Sequence, residues 1–128
     1  MRIILSFTLL LVAIAINAQD YNSICQKGIG HIKENDYSEA ASCFEEALTY
    51  SSSNYEKVYA LANLAYSYQM LNELSKALTE YDKALEIAPN ELTLLQQRAN
   101  IYLQLDSTRR ALEDYNTLLL HEPSNTGA

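Results

Sequence analysis

The sequence predicts an all-α solenoid of three helix-turn-helix hairpins, and three observations carry that prediction. First, Leu61, Leu64, Ala65 and Tyr68 fall at helical spacing, Asn72 interrupts, Ala77, Tyr81 and Ala84 resume the spacing, and Pro89 stops it. Second, the pattern recurs at one offset: Ala65, Tyr68, Ala77, Tyr81 and Pro89 return 34 residues later as Ala99, Tyr102, Ala111, Tyr115 and Pro123. A fixed period of this length marks stacked hairpins, each too small to bury its apolar face alone. Third, the expected bends fall at Asn35, Asn72 and Asp106, and Asn and Asp tolerate the left-handed backbone that ends a helix.

Taken in order, the chain opens with Met1-Arg2, an apolar run from Ile3 to Ile16 broken only by Ser6 and Thr8, and Asn17-Ala18-Gln19. This reads as a signal peptide over residues 1–18 with the cut after Ala18, leaving one domain over 19–128. About 14 apolar residues fall short of the about 20 that span a bilayer. The mature chain is therefore expected to be exported, periplasmic or extracellular, without stable membrane insertion after cleavage. Helices are expected over about 21–34 and 37–50, 55–71 and 74–87, and 91–105 and 108–121, in repeats of about 21–54, 58–91 and 92–125. Asp36 and Glu39 have the spacing of a capping pair, and Asn90 is placed to cap the fifth helix. Ala40 to Ala77 is a step of 37, so about three extra residues sit near Ser51 to Asn54. Only Ser124 to Ala128 follow Pro123, too few for a closing helix, while Leu112, Leu118, Leu119 and Leu120 cannot all turn inward from one helix. A homo-oligomer through the third repeat is the expected cover.

The residues L-x-x-L-A-x-x-Y, then A-x-x-x-Y-x-x-A, then Pro resemble the tetratricopeptide repeat (TPR), with Leu61 where that family usually has Trp. Gly28, Ala40, Phe44 and Ala47 occupy the matching places upstream. The resemblance implies a right-handed superhelix in which Gly28, Ala65 and Ala99 face Ala40, Ala77 and Ala111, while Phe44, Tyr81 and Tyr115 fill the gaps between hairpins. It also implies a concave groove, lined by the first helix of each hairpin, that binds a peptide or a helix of a partner protein. Its places map to Asn22, Cys25, Gln26 and Ile29, to Tyr59, Asn63 and Tyr66, and to Gln96, Gln97 and Asn100. Chaperone-binding members grip a terminal carboxylate with two lysines, an arginine and two asparagines. Here only Asn63 matches, and Cys25, Ile29, Thr93 and Gln97 hold the other four places, so that clamp is missing.

Composition narrows the function classes further. Nine Lys and Arg oppose sixteen Asp and Glu, and loss of Arg2 with the leader would leave eight, about −8 by count. Nucleic acid is disfavoured, because phosphate binding needs clustered basic residues. The chain has no HExxH, no Gly-rich phosphate loop, no G-x-S-x-G and no CxxC, so no enzyme, cofactor or metal is expected. His31 and His121 lie in the first and last repeats; His31 reads as a partly packed histidine. Cys25 and Cys43 stand at similar heights on the two helices of one hairpin, and both a disulfide and two free thiols are open to them. The expected function is a noncatalytic exported module for protein-protein interaction, an adaptor in envelope assembly or secretion. The alternative is an accessory subunit or weak hydrolase of an envelope enzyme system, using Cys25 or His31.

Overall fold

The computed structural model describes residues 2–121, so Pro123, the end of the third repeat and the tail after it lie outside the described residues. Six helices follow one another: α1 (Arg2–Lys33), α2 (Tyr37–Tyr50), α3 (Asn54–Met70), α4 (Leu74–Ile87), α5 (Leu92–Gln104) and α6 (Thr108–His121). They pair as α1 with α2, α3 with α4 and α5 with α6, and each second helix packs on the next first helix. The three bends are wired alike. Asn35, Asn72 and Asp106 have φ of 60°, 61° and 58°, and the residue after each donates its amide back to the helix, Asp36 to the His31 carbonyl, Glu73 to Tyr68 and Ser107 to Tyr102. This is how a left-handed residue satisfies the last carbonyls of a helix.

Two boundaries differ from expectation. The apolar N-terminal run and the first helix of repeat 1 form one helix, because Asn17 to Asp20 contains neither Gly nor Pro and nothing between the two segments breaks the backbone pattern. Its apolar first half packs on nothing, and Ile3, Phe7 and Leu10 are all exposed. Helix α1 taken whole is long enough, and apolar enough over one 18-residue window, to cross a membrane, a test that a signal sequence also passes. At α5 the capping position falls to Glu91, not Asn90. Pro89 and Asn90 instead form the centre of a turn closed by the Glu91 amide on the Ala88 carbonyl, which places Asn90 one residue too early. The Asp36 cap is as expected, its carboxylate accepting from the Glu39 amide at 3.5 Å.

The core has two parts with α3 as their shared wall. Ala60 and Leu64 of α3 join Tyr21, Cys25, Ala40, Phe44 and Ala47, and Leu61 and Ala65 join Ala77, Tyr81, Leu94 and Ile101. Phe44 and Tyr81 are buried as the repeat implies. Tyr115 is not. It is half-buried and donates its hydroxyl to Asn100 Oδ1 at 2.9 Å, within its own hairpin. The two glycines of α1 also part company. A methyl at Gly28 would stand 2.9 Å from the Phe44 ring and 3.2 Å from Cys43 Cβ, whereas one at Gly30 would meet nothing within 4 Å.

Candidate functional site

The site is set by where α3 begins. Ser53 and Glu56 form a capping box: the Ser53 hydroxyl accepts from the Glu56 amide at 3.2 Å, and the Glu56 carboxylate reaches back to the Ser52 amide at 2.6 Å and its hydroxyl at 2.9 Å. This starts α3 a turn ahead of Val58, where the repeat pattern begins. Tyr55 and Tyr59 then stand one turn apart on the same side of the helix, exposed by 79% and 37%.

These two rings separate two open clefts. One, of about 520 Å³, lies between α1 and α3, with Asn22, Cys25, Gln26, Ile29 and Lys33 on the α1 side. The other, of about 380 Å³, lies between α3 and α5 and is walled by Val58, Ala62, Ile87, Glu91, Thr93 and Leu94. Tyr55 and Tyr59 belong to both. Of the groove residues expected from sequence, Asn22, Cys25, Gln26, Ile29 and Tyr59 therefore come together.

The remainder do not join them. Asn63 donates its side-chain amide to the Tyr59 carbonyl at 2.8 Å, one turn back on its own helix. Tyr66 is half-buried with its ring edge-on to Tyr37, centroids 6.2 Å apart. Asn100 accepts from Tyr115, and Gln96 lines a separate hollow with Thr93, Tyr115, Leu118 and Leu119. Gln97 is half-buried on α5 and lines neither cleft.

The electrostatics of the first cleft favour neutral groups. Burial raises the pKa of Tyr21 and Tyr59, and the Tyr21 hydroxyl also donates to the Glu56 carbonyl at 2.7 Å. Burial likewise raises the thiols of Cys25 and Cys43, which are free and buried. A thiol held protonated is a poor nucleophile, and His31 is not among the groups that act on Cys25. His31 is half-buried with Nδ1 3.6 Å from the Asp36 carboxylate, beyond hydrogen-bond length, and His121 is exposed. Among the described residues, no three His, Cys, Asp or Glu side chains converge as metal ligands.

Tyr55 and Lys33 escaped the sequence reading, because a map based on repeat positions starts at Val58. The spacing Ser53-x-x-Glu56 was the signal that could have found Tyr55. Arg98 also escaped. It reaches from α5 to Asp114 of α6 through two bonds, 2.9 Å from Nε and 2.6 Å from Nη2, and to Asp82 of α4 at 2.8 Å.

Residues 26–120 match the family described as Domain of unknown function (DUF6340). The chain belongs to that family. This DUF6340 chain is also 30% identical over 100 residues to Hsp70-Hsp90 organizing protein 3 of Arabidopsis thaliana, an overlap of 78% of the chain and 17% of that protein. Among solved structures it is similar to a tetratricopeptide repeat protein from Parabacteroides merdae, at 30% identity and a TM-score of 0.78, covering 84% of this chain and 42% of that one. It is similar in fold to the second TPR of Spaghetti (RPAP3) bound to an HSP90 peptide, at 22% identity and a TM-score of 0.74, covering 84% of this chain and 96% of that one. None of the three is named for catalysis. The DUF6340 chain thus has the TPR fold, and it spans less than half the length of the first two.

Proposed function

We propose that this chain is a noncatalytic protein-interaction module, and that its groove binds a peptide or helix of a partner protein across the Tyr55–Tyr59 ridge. The exposed aromatic pair between two open clefts carries the reading: tyrosine gives a partner large apolar area at little entropic cost and keeps a polar tip. The peptide-bound structural neighbour supports the same use of the fold. The test is affinity capture of partners followed by Kd measurement on the protein it retains. Tyr59→Ala is expected to weaken binding by about 2 kcal/mol, as for a central aromatic anchor, and Glu86→Gln on the solvated side of α4 to leave it unchanged. The reverse pattern removes the groove from the account.

The exported location is part of the same proposal. The apolar run ending at Asn17-Ala18 supports a signal peptide over 1–18 and a mature TPR domain over 19–128, working as an adaptor in envelope assembly or secretion. Intact-mass measurement is expected to find Gln19 at the mature N-terminus of a soluble envelope protein; Met1 to Ala18 still attached would refute the cut. We also infer that a second copy covers the outer side of α6. Leu118 is partly buried against the core, but Leu112, Leu119 and Leu120 are exposed by 54%, 68% and 84%. Sedimentation equilibrium should show dimers that Leu119→Glu dissociates, and a strict monomer at all concentrations would end this part.

A further inference from the structure

We infer that the second cleft selects a partner segment with a bulky aliphatic side chain beside a lysine or arginine, the first seated between Val58, Ala62, Ile87 and Leu94 and the second paired with Glu91. This rests on the groove reading above and gives it a sequence preference. The walls come from three helices and are apolar except at the mouth, and the small side chains of Ala62 and Ala88 leave the space open. A side chain that enters exchanges water for hydrocarbon on several sides at once. Both halves of the preference follow from what lines this space.

The charge half rests on Glu91. Its carboxylate is at the capping position of α5 yet accepts no helix amide, and among the described residues it takes part in none of the ion pairs, which use Glu73, Glu80, Asp82, Asp114, Glu113 and Asp36. The side chain is exposed, so it is free to accept from a ligand cation. No Lys or Arg lines this cleft, whereas the first cleft has Lys33. A chain of net charge −7 adds a long-range field of the same sign. Cationic segments are thereby steered to the α5 side of the tyrosine ridge, and acidic tails are repelled from it.

The test uses the purified protein and three labelled synthetic peptides in a Ser/Gln background, with central Leu-Arg, Leu-Glu or Ala-Arg, read by fluorescence anisotropy. Leu-Arg is expected to bind at least about tenfold tighter than either counterpart, a single step on the affinity scale. Ala62→Phe, which fills the cleft, should make Leu-Arg and Ala-Arg equal, and Glu91→Lys should shift the preference to Leu-Glu. Glu91 is exposed, so that variant keeps the question open to measurement if Ala62→Phe fails to fold by circular dichroism. An unchanged preference in Glu91→Lys overturns the inference. If Tyr59→Ala weakens all three peptides equally while the cleft variants change nothing, the groove survives and this selectivity falls. If Tyr59→Ala has no effect on any of them, or none binds at about 1 mM, the inference falls, and partner capture judges the groove separately.

Discussion

The two seams of the solenoid are built differently. Where repeat 1 meets repeat 2, α2 and α3 close over Phe44, Ala47, Ala60 and Leu64, all buried, and polar bonds at the rim only trim the edges: Tyr21 to the Glu56 carbonyl and Tyr68 to the Glu45 carboxylate. Where repeat 2 meets repeat 3, α4 and α5 share a shorter seam in which Leu85, Leu94 and Leu95 are buried and a charged side chain spans the gap. Arg98 holds the buried Asp114 in its own hairpin with one edge of the guanidinium and Asp82 in the previous hairpin with the other. Apolar packing tolerates small adjustments of angle; a planar guanidinium between two carboxylates fixes them. The first seam thus depends on volume and the second on one residue.

Removing that residue should have the largest effect. Arg98→Ala leaves Asp114 buried without its partner, and breaking a buried pair from one side typically costs about 3 to 5 kcal/mol, a large share of the about 5 to 15 kcal/mol that stabilises a domain. Arg98→Lys should recover only part, because an ammonium cannot make the two parallel bonds to Asp114. Urea unfolding checks both. If Arg98→Ala costs no more than a surface substitution, the seams are alike and the comparison fails.

The first seam is probed from behind, through the two glycines of α1, of which Gly28 lies on the far side of Phe44. Gly28→Ala is expected to destabilise by about 1 to 3 kcal/mol, the usual cost of overpacking, because the added methyl meets a Phe44 ring with no exposed surface into which it could swing. Two residues on, Gly30→Ala has open space and should stabilise by about 1 kcal/mol through helix propensity alone. Opposite signs from one substitution on one helix would show that volume governs the packing of Phe44, the ring that closes this seam. Equal signs would mean that propensity outweighs packing, and the contrast between the seams would lose its basis.

Much of this architecture was legible because it repeats. The bends at Asn35, Asn72 and Asp106, the small residues at Ala40, Ala65, Ala77, Ala99 and Ala111, and the Asp36 cap follow from local chemistry recurring at a fixed offset. What repetition cannot reveal is whatever occurs once. The extra residues near Ser51 to Asn54 move the start of α3 and so create the Tyr55–Tyr59 ridge. Arg98 has no counterpart at Leu64, the matching place one repeat earlier, so a pattern of shared residues passes over it. For the groove, the repeat assigns ten residues by position alone, and side chains such as Asn63 and Asn100 turn to nearer hydrogen-bond partners on their own helix or hairpin. The uninterrupted α1 is a further case: a pattern of an apolar run followed by small residues concerns where a peptidase would act and says nothing of whether the backbone bends there.

The smallest expected effect concerns the polar junction at the rim of the first seam. The Glu56 carboxylate is held below the usual range for glutamate, first by the hydrogen bond from the Ser52 backbone, which outweighs the opposing desolvation, with help from the Ser52 hydroxyl and the Ser53 backbone. A carboxyl whose folded pKa is lowered stabilises the fold above its unfolded value, about 4.3, and that contribution disappears as pH falls through the folded value. Glu56→Gln should therefore reduce stability by less than about 1 kcal/mol near neutrality, since solvent screens an accessible carboxylate. The deficit should be constant above about pH 5 and vanish in more acidic solution, where wild type loses its own charge. Urea unfolding of both proteins between about pH 2 and 7 measures the difference directly. A deficit that persists unchanged at the acid end would mean that Glu56 acts through shape and not charge, and the rim of the first seam would then be as insensitive to protonation as its apolar interior.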